Sequence, residues 1–143
     1  MPETPKKLFL FDVMSLAFRA FFAPMQTSLT SPQGMPVQAV YIFVRTLRKI
    51  LRERQPAFAA AAFDLAAPTF RDNLLASYKA NRPPFPEDLS AQLPYIRRFS
   101  EALGIRIVEK EGFEADDIIG TLAREGSEAG LKVFIVSGDE DLF

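Results

Sequence analysis

The sequence predicts an α/β fold: a mostly parallel sheet with helices on both faces. Three observations predict it. Short apolar runs recur along the chain, LFLFD at 8–12, FAAAAFD at 58–64 and VFIVSGDED at 133–141, and read as strands buried on both faces. Segments with apolar residues at helical spacing alternate with them. Each of these strands also stops at acid: Asp12, Asp64, and Asp139 with Asp141. Open α/β sheets carry their ligand crevice outside the carboxyl ends of the strands, so acids at those ends converge on the crevice.

The elements follow in order. A first strand covers about 7–12, and a helix over 14–22 is predicted by Leu16, Ala20 and the Phe18, Phe21, Phe22 cluster. Residues 23–36 hold Pro24, Pro32, Gly34 and Pro36 and read as a loop. A helix over 37–54 has Val40, Val44, Leu47 and Leu51 inward and Arg45, Arg48, Lys49, Arg52 and Arg54 outward. The strand ending at Asp64 leads to a helix from Pro68 to about Tyr78, since proline suits a first helical turn. NRPPFPED at 81–88 is a rigid break. From Pro86 a helix runs to Leu103, with Leu89, Leu93, Ile96 and Phe99 on one face, a kink at Pro94 and Gly104 as its stop. A short strand at 105–108, a helix from about 114 and a strand over 132–137 complete the pattern.

Composition excludes several chemistries. The 143 residues include neither Cys nor His. No disulfide, thiolate nucleophile or imidazole base is available, nor the usual ligands of a zinc site. Oxygen ligands remain, and these suit hard cations such as Mg²⁺ or Mn²⁺. No Gly-x-Gly-x-x-Gly or Walker A pattern supports a dinucleotide or P-loop site. No apolar stretch approaches the roughly 20 residues of a membrane span. MPETPKK also lacks a signal peptide's long apolar region. The expectation is a cytoplasmic protein with no membrane partner.

Charge is uneven. Residues 1–82 carry 11 Lys and Arg against 5 Asp and Glu, whereas residues 83–143 carry 6 against 13. A polyanion for one half and cations for the other would account for this; so would two solvated faces of opposite sign.

In EGFEADDIIG, Glu114 and Asp117 stand three apart and share a helix face, with Asp116 between them. Acids opening a helix also serve as caps for its dipole, and both readings stand for this trio. Asp12, Asp64, Asp139 and Asp141 could likewise each be a turn residue if taken singly. Together they need counter-charge. Two carboxylates 4 Å apart repel by roughly 4 kcal/mol at an effective dielectric of about 20, against a whole-domain stability of about 5–15 kcal/mol. Divalent ions reverse the sign. Seven acids exceed what one Mg²⁺ takes, and a pair of ions fits better, as in phosphodiester hydrolysis.

Residues 68–84, PTFRDNLLASYKANRPP, place Arg71, Lys79 and Arg82 between the second acidic strand end and the acidic trio. Such cations grip phosphates, Arg by a bidentate fork; a solvated loop with incidental charge is the alternative.

AFDLAAPTFRDNLLASYKANRPP at 62–84, GFEADDIIGTLA at 112–123 and GDED at 138–141 resemble the bacterial 5′-3′ exonuclease (flap endonuclease) family. The likeness is strongest to the N-terminal nuclease domains of the DNA polymerase I type, and runs from Lys7 to Phe143. It implies a PIN-like core and a helical arch over a site holding two Mg²⁺ or Mn²⁺ ions. The family's metal acids map onto Asp12, Asp64, Glu114, Asp116, Asp117, Asp139 and Asp141. Lys79 and Arg82 would grip the scissile phosphate, with Arg19 and Arg71 as further contacts. The implied partner is DNA with a 5′ flap, a nick or a free 5′ end. The implied roles are primer removal and repair, beside a downstream polymerase region of the same chain. The chain departs from the family pattern at Val13, where Gly usually follows the first Asp. Gln38 and Ile42 also stand where Gly is frequent, and are expected to alter helix packing only. The sequence stops two residues after Asp141 and reads as an N-terminal fragment, truncated before the helix-hairpin-helix region. A catalytically silent DNA-binding fragment and another Mg²⁺-dependent phosphohydrolase are the competing readings; Met14 disfavours an aspartate-nucleophile phosphatase.

Overall fold

A computed structural model of the chain describes residues 4–24, 29–63, 86–110 and 112–138. The elements are β1 (Lys7–Asp12), α1 (Val13–Phe21), α2 (Gln38–Arg54), β2 (Phe58–Ala62), α3 (Glu87–Ala102), β3 (Arg106–Val108), α4 (Ala115–Glu128) and β4 (Lys132–Val136). The helix expected over 68–78 and the arch lie outside the described residues.

The four strands form one parallel sheet in the order β3-β2-β1-β4. Register pairs Asp12 with Ala62 on one side and Phe11 with Val136 on the other. The chain thus steps outward from β1 to β3 and then crosses back to lay β4 on the far side of β1. The order reverses between β1 and β4, the position at which such sheets open a crevice.

Side chains alternate across the strands, and the alternation sorts the helices. Phe9, Phe11, Ala61 and Phe63 enter one core with Val13 and Ala17 of α1, Phe43 and Leu47 of α2, and Leu89 and Ile96 of α3. Leu10 and Ala62 enter a second core with Ala115, Ile118 and Ile119 of α4. Among the described residues three helices therefore cover one face and α4 the other. Connections of one hand deposit helices on opposite faces when the strand order reverses, and α4 belongs to the reversing connection.

Helix α4 runs antiparallel to the strands. Its first turn is fixed by Ala115 beside Leu10 and Ala62. Its last turn is fixed by Gly126, where an added Cβ would stand 2.7 Å from Leu8 and 3.2 Å from Val133. Glycine permits that approach.

Three local readings are corrected. Phe99 is 46% exposed, because the α2–α3 surface leaves it over a groove. Within the loop at 23–36, Thr30 and Pro36 form an isolated antiparallel bridge, closed by a 2.7 Å hydrogen bond from the Ser31 N–H to the Met35 carbonyl. Gln38 does more than alter packing. Its amide donates to the Ala23 carbonyl at 2.8 Å and, at 3.3 and 3.4 Å, to those of Ala20 and Phe21, satisfying the chain end of α1.

Candidate active site

Asp12 ends the central strand and is also the N-cap of α1, accepting a hydrogen bond from the Ser15 N–H at 3.3 Å. It is 6% exposed. A carboxylate so buried requires compensation, and the Ser15 N–H at the start of α1 supplies part of it. Asp12 shares strand parity with Leu8 and Leu10, whose neighbours include α4 residues.

The acidic trio opens α4 on that same side. Glu114 is the N-cap, and Asp117 at the third helical position accepts from the Glu114 N–H at 3.2 Å, completing a reciprocal capping box. The cap reading therefore holds for Glu114 and Asp117. Both remain half-buried, and Asp116 between them is exposed. Capping does not consume a carboxylate, which has about four lone-pair sites.

At the neighbouring strand end, Ser137 and Gly138 leave β4 against the first turn of α1. The Gly138 N–H donates to the Ser15 Oγ at 2.8 Å, and the Ser15 and Ser137 hydroxyls are 2.9 Å apart. A Cβ on Gly138 would stand 2.5 Å from the Ser15 carbonyl oxygen and 3.0 Å from the Arg19 Cβ. This clasp joins the two elements flanking the crevice, and brings exposed Arg19 beside the end of β4. Sequence reasoning passed over Ser15 and Ser137. A hydroxyl three residues after a strand-ending Asp, and another beside a Gly-Asp, were the available signals.

Val13 is fully buried in the larger core as the first residue of α1. Its side chain faces the helical layer rather than the crevice.

Asp64, Arg71, Lys79, Arg82, Asp139 and Asp141 lie outside the described residues. Among the described residues no three carboxylates stand close enough to hold an ion. What fits a cation is the donor chemistry: in a chain without His or Cys, the residues at the crevice offer oxygen ligands only, as hard divalent ions require.

Known proteins share both sequence and fold. The family model described as the 5′-3′ exonuclease, N-terminal resolvase-like domain, matches residues 7–143. The chain belongs to this family. Among curated relatives, the thermostable DNA polymerase I of Thermus filiformis is 43% identical over 143 residues, covering all of this chain and 17% of the relative. DNA polymerase I of Chloroflexus aurantiacus is 46% identical over 135 residues, covering 94% of this chain and 14% of the relative. The chain thus spans about one-sixth of these relatives' length. A solved structure of T5 5′-exonuclease with bound zinc superposes with a TM-score of 0.64 at 18% identity, over 95% of this chain and 50% of that one. The T5 D15 protein co-crystallised with metal ions gives a TM-score of 0.65 at 20% identity, with the same coverage. The resolvase-like, PIN-type fold expected from the sequence is therefore the fold observed.

Proposed function

We infer that this chain is a 5′ nuclease unit that hydrolyses DNA phosphodiesters near a free 5′ end or at a flap, using divalent cations. The observation that carries this is the placement of Asp12, a buried carboxylate at the tip of the central strand, at the reversal of strand order and on the face where α4 presents Glu114, Asp116 and Asp117. Membership of the exonuclease family supports it, as does one structural relative, the T5 D15 flap endonuclease, solved as a pseudo-enzyme-product complex with DNA and metal ions.

Asp12, Asp64, Glu114, Asp116, Asp117, Asp139 and Asp141 are proposed to hold two ions, Mg²⁺ or Mn²⁺. Bound ions of this kind supply charge neutralisation at the phosphoryl oxygens and an activated water. The chain's own cations handle the substrate: Lys79 and Arg82 hold the scissile phosphate, while Arg71 and Arg19 fix the phosphates beside it. Water attacks phosphorus, the P–O3′ bond breaks, and the leaving oxygen takes up a proton, giving a 5′-phosphate and a 3′-hydroxyl. Within a DNA polymerase I, such cutting would serve primer removal and repair. The Val13 side chain turns into the core and so does not itself crowd the crevice.

A labelled 5′-flap substrate tests the reading. Cleavage is expected with Mg²⁺ and none with EDTA. Asp12→Asn should reduce cleavage by more than the roughly 10–100-fold typical of outer-shell changes, with flap affinity in EDTA retained. Undiminished cleavage by Asp12→Asn would remove Asp12 from the site.

A further inference from the structure

On the far side of the three-helix layer, away from α4, an open groove of about 660 Å³ runs between α2 and α3. Its α2 wall carries Arg45, Arg48, Lys49 and Arg52, and among the described residues no acid lines it. Among the described residues none of these four cations is engaged in an ion pair. Spacings of three and four residues stack Arg45, then Arg48 and Lys49, then Arg52 on successive turns along a single edge of the helix. Over the eight residues from Arg45 to Arg52 that edge is about 10 Å long.

Two aromatic side chains complete the groove. Tyr41, one turn before Arg45, is 48% exposed, and Phe99 on the facing helix is 46% exposed. Neither is consumed by the core. Glu53, one turn after Lys49, lines the adjoining hollow with Arg45 and Lys49 and can balance one charge at most. Four like charges along one edge repel one another, so the arrangement favours a polyanion. A row of phosphates supplies the anion, and its unstacked bases supply flat apolar faces for Tyr41 and Phe99. Charged grooves with stacking aromatics are the general means of holding single strands without sequence preference. An acidic amphipathic peptide would match the charges and the apolar floor, but it has no particular use for exposed rings.

We propose that the α2–α3 groove is a binding site for single-stranded nucleic acid, separate from the carboxylate crevice. Backbone phosphates lie along Arg45, Arg48, Lys49 and Arg52, and bases stack on Tyr41 and Phe99. The site does not depend on cleavage.

The test is fluorescence anisotropy of a labelled oligothymidylate with the whole chain in EDTA, over a range of salt. Replacing Arg45, Arg48 and Arg52 together by Gln should weaken binding at least tenfold. It should also flatten the slope of log affinity against log salt by about 2, at roughly 0.7 for each phosphate that is no longer neutralised. Tyr41→Ala should weaken binding by roughly 5- to 100-fold, the range for one stacked base, while Tyr41→Phe restores it. Thermal melts check that each variant folds. Unchanged affinity and slope in the folded triple variant would overturn the proposal. So would loss of charge dependence alone, with Tyr41→Ala binding as wild type. If the variants lose an acidic amphipathic peptide but keep the oligonucleotide, the groove belongs to a protein partner instead. Retained oligonucleotide binding without flap cutting would overturn only the nuclease reading.

Discussion

Gly138 is the residue at which the crevice tolerates least. Its amide donates to the Ser15 hydroxyl, and its missing side chain leaves room for the Ser15 carbonyl and the Arg19 stem. Gly138→Ala inserts a methyl group where backbone stands 2.5 Å away. The end of β4 must then withdraw from α1. A loss of roughly 1–3 kcal/mol is expected, as for overpacking elsewhere, measurable by denaturant unfolding. Ser15→Ala removes the clasp without adding bulk and should cost only about 1 kcal/mol. Equal stability of Gly138→Ala and wild type would show that the β4 exit is free to move. The sequence made Asp12 legible at this scale, because a strand-ending acid is a pattern. Ser15 carried only the weak signal of a hydroxyl three residues after that acid, and its partner 122 residues away was not legible at all.

At the scale of elements, the four strands and the first three described helices begin and end within one or two residues of where periodicity put them, and α4 begins within one. Local patterns carry that information. Facing partners do not. Phe99 has core-like spacing but meets an open groove, since spacing cannot tell whether a neighbouring helix fills the space opposite. One link between elements is electrostatic. Arg97 of α3 forms a bidentate pair with Glu109, just past β3, at 2.6 and 3.0 Å, and stands over the Phe63 ring at 5.7 Å. The Glu109 carboxylate holds the guanidinium above its ordinary range, so Arg97 stays charged. A raised folded value stabilises below the unfolded one and is lost only above it, so alkali up to the arginine range leaves this contribution intact. The pair is partly exposed, and solvent screening limits it. A double-mutant cycle on Arg97→Ala and Glu109→Ala should give a coupling of about 0.2–1 kcal/mol that shrinks with salt. A coupling well above that range would mean that the pair is effectively dry.

For the whole molecule, parallel topology was legible from alternating apolar runs and helices. The strand order was not, since nothing in the last strand's sequence says that it pairs with β1 instead of β3. That placement creates the reversal point beside Asp12. Asp64, Asp139 and Asp141 were assigned from strand-end position and motif, and lie outside the described residues. Binding of ions to the folded state alone raises its stability through mass action. Millimolar Mn²⁺ or Mg²⁺ should therefore raise the melting temperature of the DNA-free chain, and Asp12→Asn should diminish the rise. An identical rise in Asp12→Asn would place the ions elsewhere.

Because β1 has hydrogen-bonded neighbours on both flanks, its amides from Leu8 to Phe11 should exchange with deuterium only when the sheet itself opens. Edge strands can fray without it. A carboxylate seated at the tip of that strand is therefore held to the last stage of unfolding, and heat should erase its position and the native sheet in a single transition.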